Sequence, residues 1–144
     1  PVVFGEKLRE PSSLYETAGF NFEYHYRPTG ETLRRLYASC GIYLCPSWYE
    51  GLGMPSMEAT ACGAALVTTD TGGSWDYASD GETALVSPPK QPKQLADNLA
   101  RILTDEALRI KLAENGFQKI EQFSWDVNTS RLENLFKESL AETD

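Results

Sequence analysis

The sequence predicts an α/β domain, a doubly wound parallel sheet flanked by helices, followed by a helical C-terminal tail. Three observations carry that expectation. Short apolar runs alternate with helix-period patterns over the first part of the chain, a Gly-rich turn joins one such run to a helix at Ser47 to Ala59, and from Gln91 onward the pattern is helical throughout. Strands separated by helices need crossover connections, which are right-handed and place the strands parallel.

Val2 to Gly5 reads as the first strand and Ser12 to Ala18 as a short helix. Phe22 to Tyr26 gives the second strand, and Glu31 to Ser39 a helix with Leu33, Leu36 and Tyr37 on one face. The strand Ile42 to Cys45 follows, then a helix from Pro55 to Cys62 ended by Gly63, then the strand Ala65 to Thr68. Thr83 to Val86 makes a fifth strand, closed by Ser87-Pro88-Pro89. In the tail, Leu95, Leu99 and Leu103 repeat at four-residue spacing, Leu108, Leu112 and Phe117 continue, and Leu132, Leu135 and Phe136 mark a last amphipathic helix read as packing surface.

Composition bounds the function. With 144 residues and 41% hydrophobic content the chain can bury one core. A formal charge of −8 leaves no basic stripe to displace counterions from a nucleic-acid backbone, so no nucleic-acid partner is expected. The segment carries neither an apolar run of spanning length nor a signal-peptide pattern at its start. Cys40, Cys45 and Cys62 form no C-x-x-C pair and sit among small or apolar neighbours, which reads as buried thiols in a reducing, cytoplasmic setting. His25 has no cysteine or histidine neighbour and reads as a structural or site-edge residue, so no metal site is expected.

The richest stretch is Ser47-Trp48-Tyr49-Glu50-Gly51-Leu52-Gly53-Met54-Pro55-Ser56-Met57-Glu58-Ala59, in which two carboxylates flank a Gly-rich turn with seven residues between them. The turn lies where a strand's carboxyl end passes to a helix, the edge at which open α/β sheets bind ligands. Gly51 and Gly53 let main-chain N–H groups approach a ligand, Pro55 suits the first helical turn, and the helix N-terminus offers donors and partial positive charge to a phosphate. Glu50 and Glu58 can each accept two hydroxyls of a sugar. Both also have a plain reading as carboxylates favoured near a helix start.

The run Glu50 to Glu58, followed by Ala59-Thr60-Ala61-Cys62-Gly63 and an apolar strand, resembles the E-x7-E signature of retaining GT-B glycosyltransferases of family GT4, the glycosyl transferases group 1. The resemblance extends through Leu33-Arg34-Arg35-Leu36-Tyr37-Ala38, Thr71-Gly72-Gly73, Asp80-Gly81-Glu82-Thr83-Ala84-Leu85-Val86 and Phe123-Ser124-Trp125, in that family's order. Asp76 stands where the family usually has Glu, and Ala84 where Gly is usual.

The resemblance implies half of a GT-B fold. Residues 1–144 would be the C-terminal, donor-binding domain, without its first strand and helix segment, where a basic Arg and Lys pair commonly binds the diphosphate, and without the N-terminal acceptor domain. It implies retaining transfer of a hexosyl group from a UDP-, GDP- or ADP-sugar, with the nucleotide sugar as substrate, no cofactor and no metal, and no turnover by this segment alone. Glu50 would contact the donor sugar as the catalytic glutamate. Gly51, Leu52 and Gly53 would meet sugar and phosphate through backbone N–H groups, with Thr71, Gly72 and Gly73 lining the opposite wall. Glu58 would hold the ribose hydroxyls, while Tyr26 and Arg27, at the end of the second strand, are candidates for the nucleobase edge, a core or rim aromatic being the plain reading of Tyr26. The full-length protein would be cytoplasmic, meeting its acceptor, and any inner membrane face, through the other domain.

Two rival readings come from other classes. A response-regulator receiver needs a phosphorylatable Asp at the end of its third strand, which here ends Cys45-Pro46-Ser47. A non-catalytic nucleotide-sugar-binding or regulatory module fits the same motif, with intact Glu50 and Glu58 on the side of the enzyme.

Overall fold

A computed structural model of the chain describes residues 1–5 and 19–141. The helix expected over Ser12 to Ala18 lies outside those residues. In chain order the elements are β1 (Val2–Gly5), β2 (Glu23–Tyr26), α1 (Gly30–Ser39), β3 (Ile42–Cys45), α2 (Met54–Ala61), β4 (Ala65–Thr69), a 3-10 turn (Gly73–Asp76), β5 (Ala84–Ser87), α3 (Pro92–Thr104), α4 (Glu106–Glu121) and α5 (Trp125–Ala141). Every described strand pairing is parallel. β1 pairs with β2 from Val2 opposite Glu23 to Gly5 opposite Tyr26, and β3, β4 and β5 form a second ladder with β4 in the centre.

β4 explains the double-sided packing. All five of its residues are buried, and its side chains alternate between two cores. Ala65 and Val67 join Leu85 of β5 in contact with Leu95 and Ile102 of α3 and Leu112 of α4. Leu66 turns the other way, with Ala84, onto Met57 of α2, Tyr77 and Ala78. A continuous apolar run such as Ala-Leu-Val therefore belongs to a strand covered on both faces, each buried Leu or Val contributing about 1.5–3 kcal/mol. A third cluster, Tyr37, Ala59 and Ala64 with Phe4 and Tyr43 against it, ties the β1–β2 pair to the rest. Phe4 meets Tyr37 edge-on with centroids 5.4 Å apart and lies 6.5 Å from Tyr43.

Some boundaries and faces differ from the sequence reading. β5 starts and ends one residue later than expected, because Thr83 belongs to the preceding turn: its hydroxyl donates to the Tyr77 carbonyl at 2.8 Å and accepts from Ser79 N–H at 2.8 Å. In α3 the buried residue of the third turn is Ile102 at 1% exposure, while Leu103 is 66% exposed. The spacing from Leu95 to Ile102 is two turns, whereas three Leu at strict four-residue steps drift off a 3.6-residue face. Of the cysteines, Cys45 is buried but Cys40 and Cys62 are only half-buried, and the Cys40 thiol donates to the Leu36 carbonyl at 3.1 Å. α5 buries none of its residues and exposes Leu132, Leu135, Phe136 and Leu140. Among the described residues, no helix is long and apolar enough to cross a membrane.

Candidate functional site

The site is built where the loops after β3 and β4 adhere. Pro46 follows β3, and the chain turns across the sheet edge until Glu50 N–H donates to the Thr71 carbonyl at 3.1 Å, forming a parallel bridge between Glu50 and Gly72. The Thr69 hydroxyl donates to the Ser47 carbonyl and fastens the start of the same loop. Ser47 in turn donates its hydroxyl to Glu50 Oε1 at 2.8 Å, so the carboxylate is oriented from its own loop. On the β4 side, Gly72 has φ +88° and gives its N–H to Asp70 Oδ1 at 3.1 Å, the same oxygen that accepts from the Trp75 indole.

Beyond Glu50 the chain enters α2 through Gly53, whose φ of +77° is costly for any residue with a Cβ. The Gly53 carbonyl accepts from Ser56 N–H at 2.9 Å and Met57 N–H at 3.3 Å, and Pro55 has no N–H to give. Among the described residues, the amides of Gly51, Leu52, Gly53 and Met54 make no backbone hydrogen bond. Those consecutive donors sit at the positive end of the helix dipole and between the two glutamates, an arrangement suited to an anion. Beneath them Tyr77 is buried, with its hydroxyl 3.5 Å from the Gly53 carbonyl.

Glu58 lies one turn inside α2 on its exposed side. Its Oε2 accepts a hydrogen bond of 3.1 Å from the hydroxyl of Tyr37, on α1. The ring of Tyr43, on β3, feels both carboxylates. Burial first, then the charges of Cys45, Glu50, Glu58 and Tyr77, push its phenol up to about 12. Burial raises Tyr37 and Tyr77 as well, for Tyr37 with Tyr43 and the Glu58 bond adding to it, and for Tyr77 against a lowering bond from Ser56. All three phenols are therefore neutral donors below alkaline pH.

The structure thus gathers Glu50, Gly51, Leu52, Gly53 and Glu58 with Thr71, Gly72 and Gly73 at one sheet edge. Tyr26 and Arg27 stand at the carboxyl end of β2, in the other strand pair, where Tyr26 is 58% exposed and Arg27 has φ +44° with its N–H on the Gly5 carbonyl at 2.9 Å. The need for glycine falls differently from the sequence reading. Gly51 has neither a positive φ nor anything within 4 Å of a would-be Cβ, while Gly73, read only as wall, has no room for a side chain because the Gly51 backbone fills that space. His25 pairs with Glu23 at 2.7 Å, and among the described residues no group of three or more His, Cys, Asp or Glu is placed to hold a metal.

Sequence reasoning gave no role to Ser47, Tyr77 or the Tyr37 hydroxyl. Only the last carried a signal: a tyrosine on the apolar face of a helix brings a polar tip that needs a partner when buried.

Comparison with known proteins gives the family and the fold. The family model described as glycosyl transferases group 1 matches residues 2–119. The D-inositol 3-phosphate glycosyltransferase of Corynebacterium glutamicum (strain R) is 32% identical over 115 residues, covering 80% of this chain and 27% of that protein. The chain therefore spans about a quarter of the length of that relative. Among solved structures, the C-terminal domain of the group 1 glycosyl transferase LpcC from Francisella tularensis matches with a TM-score of 0.67 and 26% identity, covering 77% of this chain and 58% of that one. Anabaena HepE in complex with UDP-glucose shares the fold with a TM-score of 0.71 at 18% identity, over 98% of this chain and 40% of that one. The chain belongs to the glycosyl transferases group 1 family, GT4, and matches the C-terminal domain of its GT-B members.

Proposed function

We propose that this chain is the donor-side domain of a retaining glycosyltransferase, binding a nucleotide-diphosphate sugar from which a hexosyl group passes to an acceptor held by another domain. The observation that carries the reading is the row of amides from Gly51 to Met54, free of backbone partners among the described residues and bracketed by Glu50 and Glu58. A diphosphate matches the amides and helix dipole, and hydroxyl-rich sugar and ribose match the carboxylates on either side.

In this reading Glu50, held by Ser47, accepts hydroxyls of the donor sugar and faces the charge that grows on the ring. Gly51, Leu52 and Gly53 meet the sugar and phosphates through N–H groups, with Thr71, Gly72 and Gly73 as the facing wall. Glu58 accepts the ribose hydroxyls, and Tyr26 and Arg27 border the base. Charge developing on the departing diphosphate is met by donors already in place, so their reorganisation adds nothing to the barrier. HepE, with UDP-glucose bound, lends support to a sugar nucleotide as the ligand.

The test is calorimetric titration of the full-length protein with UDP, GDP and ADP. One of the three binds and is displaced by a hexose conjugate of the same nucleotide; no binding by any of them overturns the reading.

A further inference from the structure

Tyr37 is buried to 3% exposure with its ring fixed from two sides, by Phe4 at 5.4 Å and Tyr43 at 5.8 Å, both edge-on. Phenylalanine would fill the same space. The hydroxyl adds one contact, the 3.1 Å bond to Oε2 of Glu58 on the next helix. Glu58 is on an exposed helix face, where a glutamate ordinarily spreads over several rotamers and loses that freedom on binding a ligand. A donor anchored in the core removes part of that loss beforehand, since one carboxylate oxygen is held by a hydroxyl whose ring is packed. One lone pair of Oε2 is taken, which leaves Oε1 and the rest of Oε2 for two neighbouring hydroxyls.

We propose that Tyr37 is a positioning residue for ribose recognition, holding Glu58 so that its carboxylate accepts the 2′- and 3′-hydroxyls of a nucleoside diphosphate and so favours ribonucleotides over deoxyribonucleotides. The inference rests on the ribose role given to Glu58 above. It assigns Tyr37 no contact with the ligand, and its effect passes only through the carboxylate.

The experiment compares the tightest binder among UDP, GDP and ADP with its 2′,3′-dideoxy counterpart, which offers Glu58 no hydroxyl, by calorimetry on the unaltered chain, Tyr37→Phe, Glu58→Ala and the double variant. Tyr37→Phe should weaken the ribonucleotide about threefold to tenfold, the loss of one hydrogen bond, and change the dideoxynucleotide less than about twofold. In the Glu58→Ala background the same change should have no further effect. Equal weakening of both nucleotides, or none, while Glu58→Ala still erases the ribose preference, reduces Tyr37 to a packing residue and overturns the proposal alone. A ribose preference that survives Glu58→Ala removes the role of Glu58, and the proposal with it. Should Tyr37→Phe not fold, Glu58→Asp withdraws the carboxylate from the hydroxyl while keeping its charge, and an undiminished ribose preference in that variant contradicts the proposal.

Discussion

Gly73 and Gly51 touch backbone to backbone: a Cβ built on Gly73 would lie 2.6 Å from the Gly51 carbonyl carbon and overlap its oxygen. The loops after β3 and β4 therefore meet with no side chain between them, at the same junction where Glu50 N–H reaches the Thr71 carbonyl. Gly73→Ala must push the loops apart. We expect a stability loss of about 1–3 kcal/mol, the usual cost of overpacking, together with loss of nucleotide-sugar binding. Thermal unfolding and titration of the variant check both, and a variant with unchanged melting and binding shows that the junction is not rigid.

Gly53 makes a separable demand. Its φ is +77°, and a Cβ there would lie 2.7 Å from the Tyr77 hydroxyl. Gly53→Ala carries both a backbone penalty, roughly 1 kcal/mol, and a steric one. Tyr77→Phe removes the oxygen that the new methyl strikes, so the double variant should be less destabilised than the two single losses added together. Denaturant unfolding of all four proteins gives the coupling; simple additivity would mean that the clash is absorbed elsewhere.

The two glutamates are proposed to touch different parts of one ligand, which predicts that they fail differently. In Glu50→Gln the amide oxygen can still accept from Ser47, so the loop should hold its shape. Affinity for the free nucleoside diphosphate should stay within about twofold. Binding of the sugar nucleotide should weaken by about 1–2 kcal/mol as charge-assisted bonds become neutral, and turnover of the full-length protein in a transfer assay should fall more than KM rises. A lower melting temperature with a proportional loss of every activity would instead make Glu50 a loop-stabilising residue.

Alkaline pH should destabilise the fold. Tyr43 ionises at 10.0 in the open chain and at about 12 in the folded one. Between those values the unfolded state binds fewer protons, so stability is full below pH 10, falls as pH rises toward 12, and falls no further from this group above it. Tyr37 and Tyr77 add the same sign. Urea unfolding across this range should show the decline, and Tyr43→Phe should make it shallower. A flat profile in the unaltered chain would contradict the buried environment of these rings.

The strand and helix order was legible in the sequence because β4, with Ala65, Leu66 and Val67, and the turn from Glu50 to Glu58 carry strong local patterns. The strand Ile42–Cys45 was placed to the residue. What local pattern could not supply was contact across the chain. The Gly73–Gly51 approach, the Tyr77 hydroxyl under Gly53 and the Tyr37–Glu58 bond join residues 20 or more positions apart, and nothing in the neighbouring sequence announces the partner. The exposed face of Leu132, Leu135 and Phe136 illustrates the converse, since amphipathic spacing identified α5 without saying what its apolar side would meet.

If the Glu50–Glu58 turn binds a nucleotide sugar with Glu58 on its ribose, Glu58→Ala loses affinity for the free nucleoside diphosphate, a loss that calorimetry measures. Hydrogen bonds from ribose hydroxyls to a carboxylate are worth about 1.5–3 kcal/mol each, so the account predicts an affinity at least about tenfold weaker in a variant that melts normally. Unchanged affinity in that folded variant would take Glu58 out of the site and contradict the account.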